Sequence, residues 1–247
     1  MLIGISAIGW NEEEEEQILS ANAGAFNLLE IVPHRIFQQK LDYADLAKKY
    51  REEYGLWTYS AQALFFGSNV QSFEDTEATQ EHLLRVIRLG SFMGIKRFVL
   101  GSPGLRRGSP SFLMNVLRRM DKILEANDAV LCIEPVARAF GGKYFHTVSE
   151  IVNLIDYYNL KNVKTMLDTN NAWLEGDSPR KILNHYLPYI AHVHISDTDN
   201  GPLLNKYEHE QIRKMLGLHD YQLGIVRELF KAKNHMREYP LFRQIYA

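Results

Sequence analysis

The chain has one cysteine, Cys132, in 247 residues. An internal disulfide is therefore excluded, and so is a zinc site built on several thiolates. Neither sign of charge dominates: 28 Lys and Arg stand against 30 Asp and Glu, a formal net charge of −2. A broad nucleic-acid surface needs a basic excess that is missing here, so no nucleic-acid partner is expected. No run approaches the roughly 18 apolar residues of a membrane span. The start, MLIGISAIGWNEEEEE, lacks the basic flank of a signal peptide. The expectation is a cytoplasmic protein with no membrane partner. A GxSxG elbow, a GxGxxG fingerprint and a Walker A loop are also missing. Ser-His-Asp hydrolysis then has no support, and nucleotide-binding α/β folds lose weight. No low-complexity linker divides the chain, which reads as one domain over residues 1–247.

What is present is a repeated alternation. Short apolar runs occur at Leu2–Ala7, Asn27–Val32, Leu56–Ala61, Arg97–Gly101, Val130–Glu134, Val163–Asp168, Ile190–Ile195 and Leu223–Leu229. They do not alternate apolar with polar, as expected of parallel strands buried on both faces. Helical patterns lie between them, at Leu41–Glu53, Thr76–Met93, Pro110–Ala126, Val148–Tyr158, from Pro179, and at Lys206–Leu216. Asn11 before five glutamates reads as the cap of a helix with an acidic first turn. Eight strands alternating with helices predict an α/β fold, a single (β/α)8 TIM barrel, with an open doubly wound sheet as runner-up. Strand eight ends near Leu229 and Pro240 follows. The eighth helix is thus expected to be short or truncated, from about Phe230 to His235, leaving the first-to-eighth seam thinly covered.

In a barrel the strand C-termini are the place to look for chemistry. The first half offers Glu30, His34, Gln62 and a Gly/Pro loop carrying Arg106 and Arg107. The second half offers Glu134 in LCIEP, Asp168 in MLDTNN, His192 and His194 in HVHIS, and Glu228 in GIVREL. Glu134, Asp168, His194 and Glu228 follow one another at intervals of 34, 26 and 34 residues, about one βα unit each. A carboxylate at the end of a buried strand is costly unless paired or bound to a cation. Three carboxylates and an imidazole make a hard, oxygen-rich site for one divalent metal ion: Mn²⁺, Mg²⁺ or Co²⁺, with Zn²⁺ also compatible. His192 shares the parity of His194, so spacing alone allows either as the ligand. The bland alternative is a salt-bridge ring closing the barrel. Arg107 reads as a holder of a substrate phosphate or carboxylate, and His34 and Gln62 as mouth residues in reach of substrate. Trp10, Trp173, Phe65 and Phe66 read equally as sugar-stacking or core residues. The stretch from Lys143 to His146, behind Gly141-Gly142, reads as an aromatic lid or a packed helix entry. Cys132 reads as a small core residue.

LLEIVP, FVLGSPGLR, CIEP, MLDTNNAW, HVHISD and YQLGIVREL, in this order and spacing, resemble the xylose isomerase-like TIM-barrel superfamily. It holds sugar and sugar-phosphate isomerases and epimerases beside the AP endonuclease family 2 and endonuclease IV repair enzymes. The resemblance implies that Glu134, Asp168, His194 and Glu228 bind the metal. It also implies that Glu134 and Glu228 act as the acid/base pair, moving a proton through a metal-stabilised enediolate. It suggests a homodimer. Three positions depart from the epimerase pattern: Asn171 stands where a histidine is usual, Asn200 where an arginine is, and Phe140 where a second glutamate is. Asn171 can donate to a substrate oxygen but carries no titrating proton, and His192 joins it as a candidate substrate contact. The function expected is a metal-dependent isomerase or epimerase on a sugar or sugar phosphate. The alternatives are a dehydratase or lyase on a keto-sugar or polyol, a DNA phosphodiesterase, and a degenerate, non-catalytic barrel.

Overall fold

The computed structural model describes residues 1–39, 42–230 and 235–247, without the side chain of His235. Eight strands run Ile3–Ser6 (β1), Leu28–Ile31 (β2), Trp57–Ala61 (β3), Arg97–Leu100 (β4), Val130–Ile133 (β5), Val163–Asp168 (β6), Ile190–Ile195 (β7) and Ile225–Arg227 (β8). All pair in parallel in chain order, and β1 pairs with β8, Ile3 opposite Ile225, so the sheet closes. Parallel pairing requires a crossover between successive strands, and helices supply it. They are Glu12–Ala21 (α1), Pro33–Gln38 (α2), Tyr43–Tyr54 (α3), Thr76–Met93 (α4), Pro110–Ala126 (α5), Val148–Tyr158 (α6), Thr169–Leu174 (α7), Pro179–Tyr186 (α8), Lys206–Leu218 (α9) and His235–Tyr246 (α10). The architecture is a TIM barrel.

Local chemistry sets the helix ends. Asn11 caps α1 in a reciprocal box: its side chain accepts from the Glu14 amide at 2.9 Å, and Glu14 accepts from the Asn11 amide at 3.1 Å. Asp42, Asp75, Ser109 and Thr147 cap α3, α4, α5 and α6 in the same sense. The longer helices turn an apolar stripe inward. On α5 this stripe is Leu113, Met114, Val116, Leu117, Met120 and Leu124, all buried. Leu131 and Ile133 meet the helices in the large outer core. Cys132, between them, packs with Val99 and Met166 in a separate cluster inside the barrel. Burial pushes its thiol up to about 12, so it is core, as its apolar strand suggests.

Two elements were not expected from sequence, α2 and α7. The first begins at Pro33, whose fixed φ suits a first helical position. The second starts directly at the end of β6, where Asp168 caps it by accepting from the Asn171 amide at 2.6 Å. The closing helix also differs from expectation. Residues 231–234 of the expected Phe230–His235 segment lie outside the described residues, and Leu41 does too. The helix observed, α10, has 12 residues and runs through Pro240. It buries Tyr239, Phe242 and Tyr246, with Tyr239 and Phe242 against Phe26 at the entrance to β2. This apolar contact outweighs the backbone hydrogen bond that Pro240 removes. Among the described residues no helix is long and apolar enough to cross a membrane.

Candidate metal centre

The four residues of the second half converge. Glu134 and Glu228 each follow directly on a strand, and their amides donate to the carbonyls of Leu100 and Ile195, extending β5 and β8 by one residue. Asp168 and His194 are register partners on β6 and β7. One ligand atom from each of Glu134, Asp168, His194 and Glu228 can be chosen so that all four lie within 4.8 Å of one another. His194 Nδ1 is 4.0 Å from Asp168 Oδ2 and 3.9 Å from Glu228 Oε2. It is buried and has no hydrogen-bond partner. A buried, unpartnered ring nitrogen aimed between carboxylates fits a cation, and the donor set suits a hard divalent ion.

The electrostatics agree. Burial, then the charge of Asp168, raises the Glu134 carboxyl to about 7. Burial raises Glu228 to about 8, with Asp168 and Glu134 adding to it against the opposing pull of His194. Asp168 is also raised, by burial. Burial alone would lower the His194 imidazole, but Glu30 and Glu228 reverse this and push it up to about 10. Without a cation the cluster therefore holds extra protons, because three close carboxylates cannot all ionise in a dry pocket.

Neighbouring groups orient the quartet. Ser196 Oγ donates to Asp168 Oδ2 at 2.8 Å. Asn171 Nδ2 donates to Glu134 Oε1 at 3.2 Å, while its Oδ1 accepts from the Ala137 amide at 2.9 Å. Asn200 Nδ2 donates to Glu228 Oε2 at 3.1 Å, and Asn170 donates to Asn200 Oδ1 at 3.0 Å. Asn200 and its neighbour Asp199 have positive φ, 50° and 56°, an uncommon pairing for residues other than glycine. Asp197 braces that loop by accepting from the amides of Thr198, Leu204 and Asn205.

A cavity of about 370 Å³ opens above Glu134 and Glu228, and Gln62, Asn171, Asn200, Phe140 and Phe230 share its lining. All three departures from the epimerase pattern thus face one space. Of the five residues read as substrate contacts, Gln62 and Asn171 reach this cavity. The structure does not bring the other three there. His192 is fully buried below the quartet, its Nε2 2.9 Å from Glu30. Arg107 is exposed and spends its Nε–H on the Gly104 carbonyl at 2.9 Å. His34 lines a different cavity, of about 450 Å³, beside Phe66 and Gln38.

Arg106 is not available to an anion either. Its buried guanidinium donates to the carbonyls of Leu100, Glu134, Tyr144 and Phe145. Tyr144, Phe145 and His146 are buried, which is the packed version of the expected lid. Trp10 and Phe65 are buried, and Trp173 packs edge-on against His209. Ser60 on β3, Asn170 on α7 and Ser196 just past β7 were missed, because a lone serine or asparagine carries no signal of its own.

The family model for the xylose isomerase-like TIM barrel matches residues 19–229. The chain belongs to that family. Among the relatives of this xylose isomerase-like barrel, a probable endonuclease 4 of Mycoplasma mobile is 27% identical over 161 residues. The match covers 61% of this chain and 58% of the relative, less than two thirds of its length. A D-psicose 3-epimerase from Clostridium cellulolyticum H10, solved with D-tagatose, superposes with a TM-score of 0.78 at 17% identity, covering 99% of this chain and 91% of that one. An AP endonuclease, family 2, from Brucella melitensis gives 0.79 at 15% identity, covering 100% of both. At such identities the two superpositions speak for the fold.

Proposed function

We propose that this barrel is a divalent-metal-dependent isomerase or epimerase of a sugar or sugar phosphate, with Glu134 and Glu228 as its acid/base pair. The observation that carries the reading is the four-residue cluster with the unpartnered His194 Nδ1, open to a cavity through its two glutamates. Glu134, Asp168, His194 and Glu228 would hold the cation. When bound, it would polarise a substrate carbonyl and make the adjacent C–H more acidic.

The chain's own residues supply the proton chemistry. Glu134 and Glu228 reach the cavity from β5 and β8, three strands apart around the barrel. One carboxylate removes the proton from the carbon beside the carbonyl, and the other, protonated, returns one. Without the cation, burial raises both carboxyls above the ordinary carboxylate range. Asn171 and Asn200 each donate to one of these carboxylates and so hold its orientation. Gln62 hydrogen-bonds to Ser6, leaving its carbonyl oxygen for a substrate hydroxyl.

The test uses metal-reconstituted protein and a panel of ketoses and their phosphates in deuterated water. Deuterium should enter at the carbon beside the carbonyl, with mass otherwise conserved. Glu134→Gln and Glu228→Gln should each lower that exchange by at least about 10²-fold. Loss of water from the product would favour the dehydratase reading. Salt-sensitive cleavage of DNA, with no exchange on any sugar, would favour the activity named for the Mycoplasma mobile relative.

A further inference from the structure

Beneath the quartet lies a second, closed group: Glu30 on β2, His192 and His194 on β7, and Ser60 on β3, all fully buried. Glu30 is a carboxylate inside a barrel interior, where an unpaired charge would be very costly. It is well satisfied. Ser60 Oγ donates to its Oε2 at 2.8 Å and His194 Nε2 lies 2.9 Å from Oε1, while His192 Nε2 approaches Oε2 to 2.9 Å without hydrogen-bond geometry.

The two histidines share this anchor and differ at the other end of the ring. His194 turns Nδ1 toward Asp168 and Glu228. His192 has no such neighbours, and its ring packs edge-on against His194 with centroids 4.8 Å apart. Strand parity treats the two as equivalent; the carboxylates near Nδ1 of His194 separate them. A histidine that meets a cation through one nitrogen needs the proton on the other, and the partner of that other nitrogen decides which is which.

We infer that Glu30 is a positioning residue for the metal centre: by accepting from Nε2–H of His194 it fixes Nδ1 as the ligating atom, with Ser60 holding the carboxylate in place. This inference rests on the proposed metal site. Nothing in it requires Glu30 to touch substrate.

The experiment loads the full chain, labelled with ¹⁵N-histidine, with zinc, a diamagnetic probe. Long-range ¹H–¹⁵N correlations should show His194 protonated at Nε2 and coordinated through Nδ1. In Glu30→Gln the Nε2–H signal should lose the downfield shift given by a carboxylate partner. Zinc affinity should fall by about 10–100-fold. Ser60→Ala, which keeps the carboxylate and removes one hydrogen bond, should lose less than about tenfold. A wild-type spectrum with His194 coordinated through Nε2 overturns the inference. So does a Glu30→Gln protein with wild-type zinc affinity and an unchanged His194 signal. Should Glu30→Gln fail to fold, the wild-type spectrum and Ser60→Ala decide. The metal site itself fails on a different result: wild type and Asp168→Asn binding zinc equally, or neither binding it. That result removes the role of Glu30 as well.

Discussion

Gly101, the first residue past β4, shows how closely the backbone is fitted around the cluster. A Cβ built there would sit 2.3 Å from Glu134 Oε2, with no other atom nearer than 3.5 Å. The obstructing atom is the tip of a flexible side chain, so the fold can absorb an added methyl by swinging that carboxylate aside. The cost therefore falls on the site rather than on stability. Gly101→Ala is expected to unfold within about 1 kcal/mol of wild type but to bind the divalent ion at least about tenfold more weakly. Gly104→Ala, three residues on, meets nothing within 4 Å and serves as the control. Titration of both variants with Mn²⁺ alongside thermal unfolding makes the comparison. Equal affinities would mean that Glu134 is not held where described. At this scale the quartet was legible, because a carboxylate or imidazole ending a buried apolar strand is conspicuous. Glu30 stands out in LLEIV for the same reason. Its pairing with His194, 164 residues away in the chain, leaves no such mark. Arg107 and His34 lie away from the cavity: spacing puts a residue near the barrel mouth without saying which way its side chain points.

Elements reveal themselves in sequence when an apolar stripe carries them. Thr76–Met93, Pro110–Ala126 and Val148–Tyr158 were legible to the residue because each pairs a capping side chain with a long inward face. The short α7 has a cap but no long apolar face. Two asparagines are weak helix formers, and the turn exists because Asp168 caps it at the end of β6. The last helix was misjudged for the opposite reason: a strong local signal was overruled by packing. Pro240 sits exposed in the middle of α10, so the carbonyl of Met236 loses its donor, while Tyr239, Phe242 and Tyr246 are buried on the other side. Met236 is itself exposed, which leaves water to satisfy that carbonyl. Pro240→Ala should therefore stabilise the protein by roughly 1–2 kcal/mol, the restored helical bond exceeding the entropy regained by the unfolded chain. Chemical denaturation measures this directly, and destabilisation would mean that the proline bend is needed to seat Tyr239 and Phe242. A second element-scale device is Arg106, whose guanidinium ties the turn after β4 to the carbonyls of Leu100 and Glu134 and to Phe145. Arg106→Met would strand those buried acceptors. A loss of about 2–4 kcal/mol is expected, with a weaker metal site because the Glu134 backbone loses its brace.

For the whole molecule, the closed barrel turns one local conflict into a global dependence on pH. Glu134 at about 7 and Glu228 at about 8 lie above the values these groups take in an unfolded chain, as does His194 at about 10. A group whose folded pKa is raised keeps its proton in the native state after the unfolded chain has lost it. Stability then falls as pH rises through that interval. His192 and His82 are lowered by burial and act in the opposite sense, but only up to the ordinary histidine value near 6.5. The clean window is therefore from about pH 6.5 to 8. There the metal-free protein should lose stability with each step in pH, since every raised pKa unit is worth roughly 1.4 kcal/mol. A divalent ion reverses the sign. It requires ionised carboxylates and an unprotonated His194 Nδ1, so its binding releases protons and strengthens as pH rises. It also stabilises the fold it binds. Thermal unfolding across this window, with a chelator and with saturating Mn²⁺, should give one curve that falls and one that rises. Metal-free stability that stays level or climbs would mean that the carboxylates are already ionised, and that the barrel mouth is wetter than its burial implies. Diverging curves would show that the strand ends carry a charge conflict which the fold tolerates and a cation resolves.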